Sequence, residues 1–426
     1  MKRLVASAGL VALSASSLHA LYAPELSRIE TGKPWTVSAS LRGFYDDNWA
    51  TFPDISTAPD KATWGFEARP YLGFNFPMEQ TFVGISYLNS SRFYEVRNKP
   101  GVDPWDFTHE ATLRFDHAFS PRYQLKVRDV FTYGQEPDTS GIISAPRRAD
   151  ASYVHNSANI NFLGQFTERI GGSISYNNQL WDYHSTGRAS YSALLDRVEH
   201  QIPVDIRWQV KPELVALLGY TFNMVNYTGD DFLELAPGTF RSSDRDSLGH
   251  LFWVGADYDV TAQLRAGARV GAQYTTYEQA SSEDQMTPYV DMHATYTYAV
   301  GSTAELGFRH TISATDIAAA DAGNNHPTLD QEASAVYLNL NHQFTPKLSA
   351  NVMVQYQFST LHSGLANDVN ENILLLGLFL DYKLNQHLAV EAGYNYDWLG
   401  SDWRVGGVDP RSYDRNRVFL GIRATY

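Results

Sequence analysis

In segment after segment from residue 35 onward, apolar and polar side chains alternate with a period of two. The runs exceed the roughly five or six residues of an ordinary soluble strand. Leu264, Ala266, Ala268, Val270, Ala272 and Tyr274 alternate with Arg265, Gly267, Arg269, Gly271 and Gln273. Successive strand side chains point to opposite faces, so one face of this run is apolar and the other polar. At ~3.3 Å per residue and a tilt near 45°, the run spans about 25 Å of height, the apolar band of a membrane-spanning barrel. The same pattern returns at Pro288–Tyr298, Ala304–Ile312, Leu348–Phe358, Leu388–Trp398 and Ile202–Trp208.

Alternation alone also fits a soluble sandwich, and further features decide between them. Aromatic residues collect at the ends of the apolar stripes. Tyr45, Trp64, Phe252, Tyr274 and Trp398 lie at one end, and Trp35, Phe76, Trp208, Tyr258, Tyr298 and Tyr382 at the other. Two such belts match two membrane–water interfaces. Connections alternate between short (Pro77–Gln80, Ser120–Arg122, Thr345–Lys347) and long (Asp46–Ala62, Gly134–Ser152, Ala314–Asp330). The last stretch, Arg417–Tyr426, is again a strand, with Val418, Leu420, Ile422, Ala424 and Tyr426 on one face. The expected fold is all-β, a transmembrane antiparallel up-and-down barrel of about 18 strands with short periplasmic turns and long extracellular loops.

Residues 1–20 read as an address. Lys2 and Arg3 precede the apolar run Leu4–Leu13, small residues follow, and Ala20 is a cleavage point. The expected organisation is a signal peptide over 1–20, a periplasmic segment over 21–34 and the barrel over 35–426, in the outer membrane of a Gram-negative bacterium. Beyond residue 20 there is no apolar run of about 18 residues, which excludes helical spans. The chain has no Cys, which excludes disulfides, thiol catalysis and Cys-ligated metals. A formal charge of -14 argues against nucleic acid as a partner.

Register is tightly specified. A one-residue slip of Gln263–Gln273 would place Arg265 and Arg269 in lipid, at about 2–4 kcal/mol for each midplane Arg. Two stretches depart from the polar-inside pattern: Ile373–Leu380, apolar on both faces apart from Gly377, and Leu214–Leu218. An apolar patch facing a wet lumen calls for a cover. The candidate covers are the loop Gly134–Ser152, where Gly141, Ile142 and Ile143 lie among polar residues, or the segment 21–34; contact with a partner subunit or thicker lipid is the alternative. The turns Phe119-Ser-Pro-Arg122 and Phe344-Thr-Pro-Lys347 repeat one another, and ordinary turn chemistry accounts for them.

Lumen-facing acids and bases nearly balance, with a slight excess of bases. The pore-lining candidates are Arg207, Arg265, Arg269, Asp291, His293, Glu305, Arg309 and Glu391. The acidic surplus therefore falls in the outer loops, for example at Asp230, Asp231, Glu283 and Asp284. These pairs lack the spacing of a calcium loop. His293 and Asp291 face the same way two residues apart, an arrangement that serves structure more readily than catalysis without a marked nucleophile. No phosphate loop, dinucleotide fingerprint or nucleophile elbow occurs. No catalytic, cofactor-binding or metal-binding residues are expected, and no enzyme activity.

The stretch Arg69-Pro-Tyr-Leu-Gly-Phe-Asn-Phe-Pro77, leading into Thr81–Leu88, together with the closing Arg417–Tyr426, resembles bacterial outer-membrane β-barrels, more narrowly the putative β-barrel porin type 2 group. The resemblance implies an outer-membrane barrel and transfers no binding residues. Expected partners are outer-membrane lipid and lipopolysaccharide, the barrel-assembly machinery through the strand ending at Tyr426, and further copies of the chain in a homo-oligomer. The expected function is a porin-like channel for passive diffusion of small hydrophilic solutes. The alternatives are a plugged structural or surface-polysaccharide-associated barrel without an open pore and, behind both, an outer-membrane hydrolase.

Overall fold

A computed structural model describes residues 34–139, 141–148, 152–233, 240–278, 284–318 and 327–426. The proposed signal peptide and all of segment 21–34 except Pro34 lie outside the described residues. The strands are β1 (Trp35–Asp46), β2 (Thr63–Pro77), β3 (Thr81–Tyr94), β4 (Trp105–Ser120), β5 (Tyr123–Gly134), β6 (Tyr153–Gln165), β7 (Ile170–Tyr183), β8 (Arg197–Lys211) and β9 (Leu214–Tyr227). They continue as β10 (Ser247–Asp259), β11 (Leu264–Tyr277), β12 (Gln285–Ala299), β13 (Ser302–Ser313), β14 (Asp330–Gln343), β15 (Leu348–His362), β16 (Asn370–Lys383), β17 (Leu388–Ser401) and β18 (Tyr413–Thr425).

These form one 18-stranded antiparallel sheet in which every strand pairs with its sequence neighbours. It closes where β1 meets β18, in register from Ser38↔Thr425 to Asp46↔Arg417. Closure leaves no unpaired edge, the condition for a sheet to sit in hydrocarbon. The Tyr426 N–H donates to the Val37 carbonyl at 2.8 Å, and its ring stacks on Trp35 with centroids 5.4 Å apart.

The faces are inverted relative to a soluble protein. On β18, Leu420 is 64% exposed while Arg417 is 4% exposed. The greasy face is outward because acyl chains, rather than a core, cover it. That face also carries hydrogen-bonded polar pairs which the alternation did not announce. Tyr87 bonds His109 at 2.7 Å, Tyr176 bonds His200 at 2.7 Å, Tyr220 bonds His250 at 2.9 Å, and Asn156 donates to Asp129 at 3.0 Å. In each pair a polar atom on the lipid side finds its partner on the adjacent strand, which lowers the cost of leaving water.

The short turns share one device. At Ser120, Thr167, Thr261, Thr345 and Asn385, a side-chain oxygen accepts the backbone N–H groups two and three residues on, at 2.8–3.2 Å. The Pro shared by two of these turns is secondary, since Thr167 and Thr261 do the same without it.

On the opposite rim the long connections knit together. Between β7 and β8, the helix α1 (Tyr191–Leu195) is capped by Ser190, whose side chain accepts from the Ala193 N–H. The guanidinium of Arg245 is buried and donates to the carbonyls of Leu194 and Thr315 at 2.8 Å each. Arg411 spans Asp316 (2.8 Å) and Glu371 (2.6 Å), joining three segments. The two carboxylates outweigh burial and hold the Arg411 pKa above its ordinary value.

Candidate lumen site

The connection between β5 and β6 turns inward instead of lying over the rim. Its Ile143 is buried against Met353, Ile373, Leu375, Leu399 and Tyr413. The backbone of this segment is satisfied by side chains of the barrel wall. The Ile143 N–H donates to Gln357 Oε1 at 2.8 Å, while Gln331 and Gln357 amides donate to the Ile143 carbonyl at 2.8 and 3.0 Å. Gln355 donates to the Gly141 carbonyl at 2.7 Å, and the Tyr413 hydroxyl to the Pro146 carbonyl at 2.6 Å. A loop has no ladder of its own, so wall amides take the place of a neighbouring strand. The segment thereby covers Ile373 and Leu375, the inward members of one apolar stretch. Leu217, the inward buried residue of the other stretch, is not in that cluster; in register it lies opposite Arg207 and Gly255.

Charge holds the base of the same loop. Glu136 meets Arg415 at 2.9 Å, Arg92 at 3.5 Å and Arg417 at 3.6 Å. Burial alone would raise the Glu136 carboxyl, but the guanidinium groups of Arg415 and Arg92 outweigh it and hold the pKa far below the carboxylate range. Arg148, near the other end, pairs with Asp106, and its backbone N–H donates to Thr51 Oγ1 at 2.9 Å. Breaking one partner of such a pair strands the other, so these contacts fix position more than they add net stability.

On the other side of the lumen lies a cavity of about 650 Å³, lined by residues of β1–β14 and of the rim. A second space of about 110 Å³ sits beside the loop, between Glu136, Ile143, Asp397 and Arg415. Of the residues singled out from the sequence, Arg207, Arg269, Asp291, His293, Glu305 and Arg309 line the larger cavity. Two do not. Arg265 is half exposed and pairs with Asp259 at 3.1 Å on the short-turn side. Glu391 is buried between Arg42 (2.7 Å) and Arg423 (2.8 Å), locked into the wall. Alternation fixes which face a side chain occupies, but whether that face is wet depends on depth and neighbours.

The lumen wall pairs its ions. Arg207 meets Asp205 at 2.6 Å, Arg269 meets Asp257 at 3.2 Å, and Arg309 meets Asp291 at 2.9 Å. Asp291 is thus committed to Arg309, directly opposite it in register, and His293 is 3.8 Å away. The His293 ring lies over Gly267, where a Cβ would be 2.5 Å from the imidazole. Inward aromatics use the same device. Trp253 lies over Gly219 and Tyr337 over Gly307, each 2.1 Å from where a Cβ would stand. Glycine across the strand lets a large ring lie flat on the wall and leave the lumen free. Sequence reasoning missed the loop anchors Gln331, Gln355, Gln357, Glu136 and Arg148. The available signal was the alternation of Gln355 and Gln357 with apolar outward residues, beside the apolar stretch on β16.

The fold is similar to that of several solved structures. One is OccAB4 of Acinetobacter baumannii, with 11% identity, 92% of this chain and 99% of that chain covered, and a TM-score of 0.44. Another is OccK9 (OpdG) of Pseudomonas aeruginosa, with 12% identity, 92% and 98% covered, and a TM-score of 0.45. A third is the outer membrane protein opdK of Pseudomonas aeruginosa, with 9% identity, 92% and 99% covered, and a TM-score of 0.44. No curated protein sequence matches the chain. The family model described as "Putative beta-barrel porin 2" matches residues 89–426, most of the chain, so this protein belongs to that family of porin-like barrels and resides in the bacterial outer membrane.

Proposed function

We propose that the protein is a passive diffusion channel for small hydrophilic solutes. The observation that carries this reading is the cavity of about 650 Å³, lined largely by polar side chains, which stays open beside the inward loop. Barrels of 16–18 strands are wide enough to enclose an aqueous path. Pairing of the wall ions and flattening of the wall aromatics over glycines both keep that path clear. Catalysis has no part in this reading, because Asp291 is held by Arg309 and His293 rests on the wall.

The same loop is the one observation that favours a plugged barrel, since its contacts with β14–β18 occupy that side of the lumen. Planar-bilayer recording separates the two readings. The purified full chain is expected to give steady single-channel conductance. A barrel that inserts and stays silent would overturn the channel reading and favour the plugged one.

A further inference from the structure

The ions of the larger cavity are not spread evenly. On β6–β9, a row of inward side chains is uncharged and hydrogen-bonding: Asn159, Asn177, Gln179, Gln201 and Asn223 all line the cavity. The charges that flank this row on β8 are already paired with one another. Arg207 pairs with Asp205 on one side and Arg197 with Glu199 on the other.

Most of this amide capacity is not used by the protein. Asn159 donates to the Asn177 carbonyl oxygen, which fixes that pair and leaves the Asn177 amide nitrogen facing the lumen. Among the described residues, no hydrogen bond engages the side chains of Gln179, Gln201 or Asn223. An amide presents a donor and an acceptor side by side, and a row of them on neighbouring strands repeats that pair. A wall meant only to pass ions has no need of such groups, and one meant only to pack would be apolar. The solute chemistry that matches an uncharged row of paired donors and acceptors is a polyhydroxylated ring, whose adjacent hydroxyls also donate and accept. Tyr289 lines the same cavity and offers a flat apolar face to the C–H side of such a ring, while Trp253, also in the lining, has the Arg269 guanidinium 5.6 Å over its ring.

We infer that the β6–β9 wall is a carbohydrate subsite of the lumen, recognising sugar hydroxyls through Asn177, Gln179, Gln201 and Asn223. The inference rests on the channel reading and narrows it to a solute class. The cationic residues Arg69, Lys126 and Arg128 line the cavity from β2 and β5. They make an acidic solute the competing occupant, and the test includes one.

The experiment records current through single channels of the full chain with cellobiose or succinate added. Wild type is expected to show cellobiose-dependent blocking events at millimolar concentration. The double variant Asn177→Val with Gln201→Val should raise the half-blocking concentration at least tenfold, block being read against the variant's own open-channel current. Succinate, which lacks hydroxyls, should block no better in wild type than in the variant. Equal cellobiose block in both proteins overturns the subsite, as does block by succinate alone. If the barrel does not conduct, the channel reading fails separately. Titration of cellobiose into the detergent-solubilised protein, followed by Trp fluorescence, then decides the subsite. Saturable quenching weakened by the double variant supports it, and no response overturns it.

Discussion

At the scale of single residues, the side of the sheet decides what a substitution costs. Val270 faces outward opposite Val254, while Gln273, three residues on, lines the cavity. Val270→Arg places a guanidinium in hydrocarbon at a cost of about 2–4 kcal/mol, whereas Gln273→Arg stays wet. The expected outcome is loss of Val270→Arg from outer-membrane fractions and normal accumulation of Gln273→Arg, measured by fractionation and immunoblot; equal amounts would show the facing to be wrong. Titration offers a second residue-scale test, in the rim loop before β8. Burial pushes the Asp196 carboxyl from 3.8 up to about 6, against the lowering effect of hydrogen bonds from Ser192 and the Tyr183 N–H. A raised carboxyl favours the folded loop in its protonated form. That contribution is fully present below about pH 4 and is lost as pH rises through about 6. Hydrogen-exchange protection of residues 184–196, corrected for intrinsic rates, should therefore fall from pH 4 to pH 7. Asp196→Asn should flatten that dependence.

Elements divide into those that local chemistry writes and those that wait for a neighbour. The strands and short turns belong to the first kind. Period-two alternation sets each strand, and a hydroxyl or amide at the turn's start collects two N–H groups. The inward loop after Gly134 belongs to the second kind. None of the described residues within 135–148 lies in a helix or strand, and their order comes from Gln331, Gln355, Gln357 and Tyr413, far away in sequence. Ile143→Ala removes a fully buried apolar contact, a loss of about 2–5 kcal/mol for a packed Ile. The loop should then become cleavable by added protease on whole cells, and single-channel current should become noisier. Unchanged resistance to protease would mean that the ionic anchors at Glu136 and Arg148 hold the loop unaided.

For the whole molecule, the channel reading makes the distribution of charge the determinant of ion selectivity. The net charge is -14, yet bases outnumber acids among the ionised side chains lining the larger cavity, so the acidic surplus lies elsewhere. Acidic loops at the mouth enrich cations only within a Debye length, about 8 Å at physiological salt and about 3 Å at 1 M. Reversal potentials are thus expected to show cation preference at 0.1 M salt that fades or inverts by 1 M, where the lumen wall dominates. A preference that does not change with salt would place the selectivity inside the lumen.

By itself the sequence determined the barrel. Alternation over Leu264–Tyr274, the aromatic ends and the short-long rhythm of connections specify strands, facing and closure, because lipid outside and water inside act on every residue separately. Those forces are local in sequence, so they are legible there. The tertiary structure alone decided which inward residues line the larger cavity. Glu391 and Arg265 carry the same alternation as Arg269, yet one is locked between two arginines and the other sits by the short turns. The loop anchors and the glycines beneath Trp253 and Tyr337 arise from pairs on different strands. Such contacts depend on register around a closed ring, which no single strand encodes.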